Sequence, residues 1–190
     1  MHRRHRLVLF CFLALGFWLK PAFAATPDAR PLAGLWRIDL KRSTDLLPWG
    51  AIDLEIVVDG PKVTLTRHCA AGRRTYDDVT ALDLTKPVNL VPFAWWGDNR
   101  NLGAYSGGDH IKRVRAELID GRVLRTSADL MLNTQQGDRA VNILTDYKVS
   151  ANGAQLTLTE LRSTRNQPVV YVFKRIDPKD AANRTTGSAE

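Results

Sequence analysis

Apolar and polar residues alternate along much of this chain, and a period of two marks a strand with one buried face. Trp36-Arg37-Ile38-Asp39-Leu40 shows the pattern first. Ile52, Leu54, Ile56 and Val58 repeat it, with Asp53 and Glu55 on the other face, and Val63-Thr64-Leu65-Thr66 follows Asp59-Gly60-Pro61-Lys62. A two-residue Asp-Gly loop would put Pro61 in the ladder without an N–H to donate. A four-residue loop, Asp59 to Lys62, pairs Val58 with Val63 and keeps both apolar sets on one face. The next hairpin must bring Val114, Ala116 and Leu118 onto the face of Leu124, Thr126, Ala128 and Leu130. A three-residue loop, Ile119-Asp120-Gly121, does so and predicts a positive φ at Gly121. Further on, Val141, Ile143, Tyr147 and Val149 face Leu156 and Leu158 across Asn152-Gly153, a type I′ signal that pairs Val149 with Leu156. A strand over Val169 to Lys174 closes the series. A weaker one is expected around Arg73 to Thr80, and Met131 to Thr134 extends its predecessor before Gln136-Gly137-Asp138 turns back. About eight to ten antiparallel strands, with no amphipathic helix, predict an all-β domain: an up-and-down barrel or cup, with a β-sandwich as the alternative.

Two stretches break the rhythm. Residues Thr85 to Gly108 hold six glycines and prolines together with Phe93, Trp95, Trp96 and Tyr105. So long a connection is either a lid or a strand pair that the pattern hides. The polar segment Asp177 to Glu190 is expected to be disordered.

The first residues alter the meaning of the composition. A basic start, His2-Arg3-Arg4-His5-Arg6, precedes the uncharged apolar run Leu7 to Leu19, and Ala22-Phe23-Ala24 follows Lys20-Pro21. As a helix the run spans only about 20 Å, against about 30 Å of bilayer hydrocarbon. This is the layout of a cleavable signal peptide with cleavage near Ala24, so the expected destination is the periplasm or the medium. The organisation is then a signal peptide at 1–24, one β domain at 25–176 and a tail at 177–190. Arg3, Arg4, Arg6 and Lys20 leave with the leader, so the formal charge of +7 falls to +3. Such a charge does not point to nucleic acid. Cys11 leaves too, and Cys69 alone cannot make an intrachain disulfide. No second run is long and apolar enough to cross a membrane as a helix.

Chemistry-bearing motifs are sparse. His68 and Cys69 are adjacent, and neighbours on a strand point to opposite faces. Cys69 therefore reads as a small buried hydrophobe. His68 and His110 show no ligand spacing for a metal, and no glycine-rich phosphate loop precedes a helix. No catalytic residue, metal or cofactor is assigned. Asp77-Asp78 reads as a solvated edge whose side chains diverge. Lys112, Arg113, Arg115, Arg122, Arg125 and Arg139 form a basic cluster in which Glu117 and Asp129 interleave, which reads as an ordinary mixed surface. Trp49, Trp95, Trp96 and Tyr105 fall in predicted loops, where aromatic rings can cap an apolar pocket or stack on a ligand.

Gly34-Leu35-Trp36 at the first strand resembles the G-x-W opening of the lipocalins, and Arg175 follows the last strand. The resemblance implies a small barrel whose closed end packs Trp36 under Arg175. With Asp39, Tyr171 and Phe173, the two ends are similar to bacterial exported proteins described as lipocalin-like; the middle of the chain is not, and the family's C-terminal helix and disulfide are absent. The function it implies is binding of a small apolar or amphipathic ligand in the cell envelope. The alternative is a non-enzymatic structural or interaction protein, and a hydrolase using His68 or His110 comes third.

Overall fold

The computed structural model describes residues 28–44, 49–93 and 105–182. The alternating segments form eleven antiparallel strands: β1 (Gly34–Ile38), β2 (Ala51–Asp59), β3 (Lys62–Ala71), β4 (Arg74–Asp83), β5 (Asn89–Pro92), β6 (Tyr105–Ser106), β7 (Ile111–Ile119), β8 (Val123–Thr134), β9 (Gly137–Val149), β10 (Gln155–Arg162) and β11 (Val169–Ile176). Ten of them make one continuous ladder, β4-β3-β2-β1-β11-β10-β9-β8-β7-β5, with the two-residue β6 set against β8. The pairing that decides barrel against sandwich is β1 with β11, from Leu35 opposite Ile176 to Ile38 opposite Phe173. The ladder therefore curls into a barrel, and its two ends, β4 and β5, face each other across a seam.

The three hairpins keep the expected faces, and all three turns differ in detail. Val58 pairs with Val63 as expected, and the ladder runs one pair further, to Asp59 with Lys62. Gly60-Pro61 then makes the turn, with Gly60 at φ +55. In the β7–β8 hairpin Leu118 pairs with Leu124 and Ile119 with Val123, so the three loop residues are Asp120 to Arg122, one position later than expected. Gly121 has φ +65 as expected, and Asp120 joins it at +50, a region Asp tolerates better than most residues. Val149 pairs with Leu156, but the turn is not type I′. Only Gly153 takes a positive φ there. The Gly153 N–H donates to the Ser150 carbonyl, and Asn152 Oδ1 accepts from Ser150 Oγ and the Ala154 N–H. Inside Thr85 to Gly108 the chain forms β5 and β6; Trp95 and Trp96 lie outside the described residues. The tail expected from Asp177 begins with a 3-10 turn, Pro178–Ala182, and the Asp180 carbonyl accepts from Arg37 Nη2.

One end of the barrel is sealed. A 3-10 turn, Arg30–Leu32, brings fully buried Leu32 onto Trp36, whose Nε1 donates to the Leu32 carbonyl at 3.0 Å. The Arg175 guanidinium lies 4.0 Å from the Trp36 ring centroid. Its three nitrogens donate to the carbonyls of Gly153, Ala33 and Pro31 at 2.9, 2.6 and 3.0 Å. This is the arrangement that the family resemblance implies. It also needs Gly34: with φ +136, any Cβ there would sit 2.3 Å from Arg175 Nη1. Phe173, Leu156, Leu158, Leu54, Ile56 and Leu124 fill this half of the barrel.

Candidate functional site

The other half of the interior is not a hydrocarbon core. The inward parity of β3 runs Val63, Leu65, Arg67, Cys69, and that of β4 runs Tyr76, Asp78, Thr80, Leu82. Arg67 and Asp78 are directly opposite each other in the ladder. Arg67 donates to Asp78 Oδ2 from Nε at 3.1 Å and Nη2 at 2.5 Å. From β7, Lys112 reaches the same carboxylate, its Nζ 3.4 Å from Oδ1 and 3.3 Å from Thr80 Oγ1. The three side chains are only 13, 11 and 15 % exposed for Arg67, Asp78 and Lys112. On the opposite wall Thr126, Thr145 and Glu160 form one cross-strand row, all buried, and Glu160 ion-pairs with buried Arg162 two residues along β10.

Burial alone would push the Asp78 pKa up. The charges of Arg67 and Lys112, with their hydrogen bonds, outweigh it and bring the carboxyl down to about 2 from its ordinary 3.8. Asp78 is thus a fixed anion at any physiological pH. This corrects the reading of Asp77-Asp78 as a solvated edge. The two side chains do diverge, but only Asp77 goes to the outer face, where its Oδ1 lies 2.8 Å from His68 Nδ1. Glu55 Oε2 lies 3.6 Å from the other ring nitrogen.

These groups surround a cavity of about 70 Å³. Its walls include Arg67, Asp78, Thr80, Lys112, Thr126, Thr145, Tyr147 and Glu160 on the polar side, and Leu65, Phe93, Val114, Leu130 and Ile143 on the apolar side. Phe93, Leu130 and Ile143 belong to a second, small apolar cluster with Leu132 and Val141. The interior is therefore amphipathic, with the charges between two apolar clusters. Its volume is well below the ~300–1,000 Å³ of pockets that enclose a drug-sized molecule. A wider crevice, about 440 Å³, lies between Leu84–Pro87 and strands β7 to β9. The arginines at its rim are ion-paired: Arg115 with Asp129, and Arg125 with Asp146.

Of the aromatic residues expected at a ligand, Trp49 is buried, 8 % exposed, within the main core. It stacks on Tyr76 at 6.3 Å between centroids and does not line the cavity. Tyr105 lies in β6, but its side chain, like Trp95 and Trp96, falls outside the described residues. Cys69 is buried and points inward. Among the described residues no group of three His, Cys, Asp or Glu could hold a metal ion, and no helix is long and apolar enough to cross a membrane. The basic cluster divides: Arg113, Arg115 and Arg125 face outward onto carboxylates, whereas Lys112 faces in.

No family model matches this sequence, and no curated protein matches it. Among fifteen matching chains of known structure is a mutant of a protein titled REP1-NXSQ fatty acid transporter. The two share 14 % identity and a TM-score of 0.47 over 77 % of this chain and 99 % of that one. The barrel is established here by its own strand pairing, independently of that likeness.

Proposed function

We propose that this protein is an exported carrier that holds a small amphipathic molecule in its barrel. The polar end would lie against Arg67, Asp78, Lys112 and Glu160, and the apolar end against Phe93, Leu130 and Ile143. The observation that carries the reading is the set of four charged side chains, Arg67, Asp78, Lys112 and Glu160, that line a largely enclosed cavity. Buried ion pairs are commonly no more stable than well-packed apolar residues of the same volume, so stability alone does not account for them. A polar binding surface does. Export is supported by the leader: a basic start, a short apolar run and Ala22-Phe23-Ala24.

One observation favours the second reading, a barrel that works through its surface in the envelope: a cavity of about 70 Å³ holds a head group and little more. Native mass spectrometry on protein purified from its own cells separates the two. The carrier reading expects a discrete excess mass that organic extraction removes. A bare mass, together with no shift of the Leu130 and Ile143 methyl resonances across a panel of short amphiphiles, would leave the surface reading.

A further inference from the structure

The charged groups on the cavity wall are engaged with one another. Arg67 and Lys112 share Asp78, Lys112 also donates to Thr80, and Glu160 pairs with Arg162. Two neutral groups on the same wall are not. Thr126 and Thr145 stand directly opposite each other on β8 and β9, and both line the cavity at 7 and 5 % exposure. Among the described residues neither hydroxyl makes a hydrogen bond to a protein group. Paired threonines in a sheet stabilise it by bonding to each other, and a buried hydroxyl without a partner is costly. The fold itself therefore gives no reason for a hydroxyl at either position.

The rows on one side of the threonines are apolar. The next inward row pairs Ala128 with Ile143, and the one after it pairs Leu130 with Val141. Successive inward rows lie two residues, or about 7 Å, apart, a distance that an alkyl chain of about four carbons spans. Ala128, Ile143 and Leu130 all line the cavity, and its volume of about 70 Å³ leaves no room for a long chain. The same wall limits the head group. A charged head would give up its water on entering and would have to compete with the ion pairs that hold Asp78 and Glu160, leaving a buried charge less well paired. A hydroxyl needs no counter-charge, and it can donate to one threonine while accepting from the other.

We infer that the cavity selects an uncharged, short-chain alcohol, its hydroxyl seated between Thr126 and Thr145 and its chain against Ala128, Ile143 and Leu130. The inference rests on the carrier reading and assigns its ligand class. It makes Thr126 and Thr145 the specificity-determining residues. The hydrogen bond that each supplies corresponds to about two- to tenfold in affinity.

The test titrates 1-butanol, butyrate, butylammonium and 1-chlorobutane into the purified protein and follows the Thr126, Thr145, Leu130 and Ile143 methyl resonances by NMR. Butanol is expected to shift all four residues and to bind at least about tenfold tighter than either ion. Thr126→Val and Thr145→Val keep the side-chain shape and remove the hydroxyl. Each is expected to lower the affinity for butanol relative to chlorobutane by about two- to tenfold. Neither should lower the melting temperature, since no hydrogen bond within the protein is lost. Thr145→Ser, which keeps the hydroxyl, should keep the preference. An ion that binds as tightly as butanol at these methyls, or a preference untouched by both valines, would overturn the alcohol assignment and leave the carrier reading standing. If no probe shifts these methyls, the inference falls, while an extractable mass in the native spectrum would still support the carrier.

Discussion

Replacing Asp78 with asparagine keeps the shape of the side chain and removes the carboxylate that Arg67 and Lys112 share. Two independent routes give the expected size of the effect. In the first, the carboxyl titrates at about 2 when folded against an ordinary 3.8. At about 1.36 kcal/mol per pKa unit, that is on the order of 2 kcal/mol of stability carried by the ionised form. In the second, removing one partner of a buried ion pair costs about 3–5 kcal/mol, because the remaining charges are left facing each other. The variant is therefore expected to be less stable by about 2–5 kcal/mol at pH 7. At roughly 2–4 °C per kcal/mol for a domain of this size, the melting temperature falls by about 4–20 °C. The sign of the pH dependence follows from the depressed pKa. The contribution is complete above pH 3.8, the unfolded value, and is lost as pH falls through about 2. Urea unfolding followed by circular dichroism should show a constant gap between the native chain and Asp78→Asn from about pH 7 to pH 5 and a closing gap below about pH 4. A gap under about 1 kcal/mol at neutral pH, or the same gap at pH 2 as at pH 7, would refute the claim that Asp78 is the anionic hub of the interior.

Two further predictions test the sealed end and the thiol. Arg175→Lys keeps the charge over Trp36 but cannot direct three donors at three carbonyls. It should lose nearly as much stability as Arg175→Met, about 2–3 kcal/mol in chemical denaturation; a lysine variant as stable as the native chain would show that the fork is dispensable. Cys69, 4 % exposed, should not react with Ellman's reagent in a folded Cys11→Ser chain and should react fully in urea. Rapid labelling of the folded protein would instead mark an accessible, activated thiol.

The strands and their faces are legible in the sequence because alternation is a local signal and hairpin parity is strict. A shift by one residue would expose every apolar side chain of a strand, so Val58 with Val63 and Val149 with Leu156 follow from face matching alone. Turn chemistry is less constrained. Type I′ and a turn with one left-handed residue at Gly153 both satisfy the same register, and the Asn152 side-chain bonds decide between them. The charged interior row is present in the same alternation but in its negative. Arg67 continues the parity of Val63 and Leu65; Glu160 and Arg162 continue that of Leu156 and Leu158; Lys112 precedes Val114 and Ala116. A charged residue at an inward position near a strand end reads as a barrel rim open to water. That these are buried depends on barrel closure through β1 and β11 and on which strands stand opposite, and neither is encoded within one strand. Asn89 is illegible for the same reason: its role as a splice needs Asp83 and Val114 brought together from both sides.

The break in the ladder and the charges behind it have one physical explanation. A fully hydrogen-bonded barrel has no edge, and its interior is sealed by backbone on all sides. Charges buried there without counter-charges would be prohibitively costly, and here Arg67 and Lys112 share Asp78 while Arg162 pairs with Glu160. Lys112 comes from β7, passes to the strand across the seam, and contributes to holding β4 where, among the described residues, no ladder does. The Lys112 contacts to Asp78 and Thr80 therefore close with side chains a stretch that the ladder leaves open among the described residues.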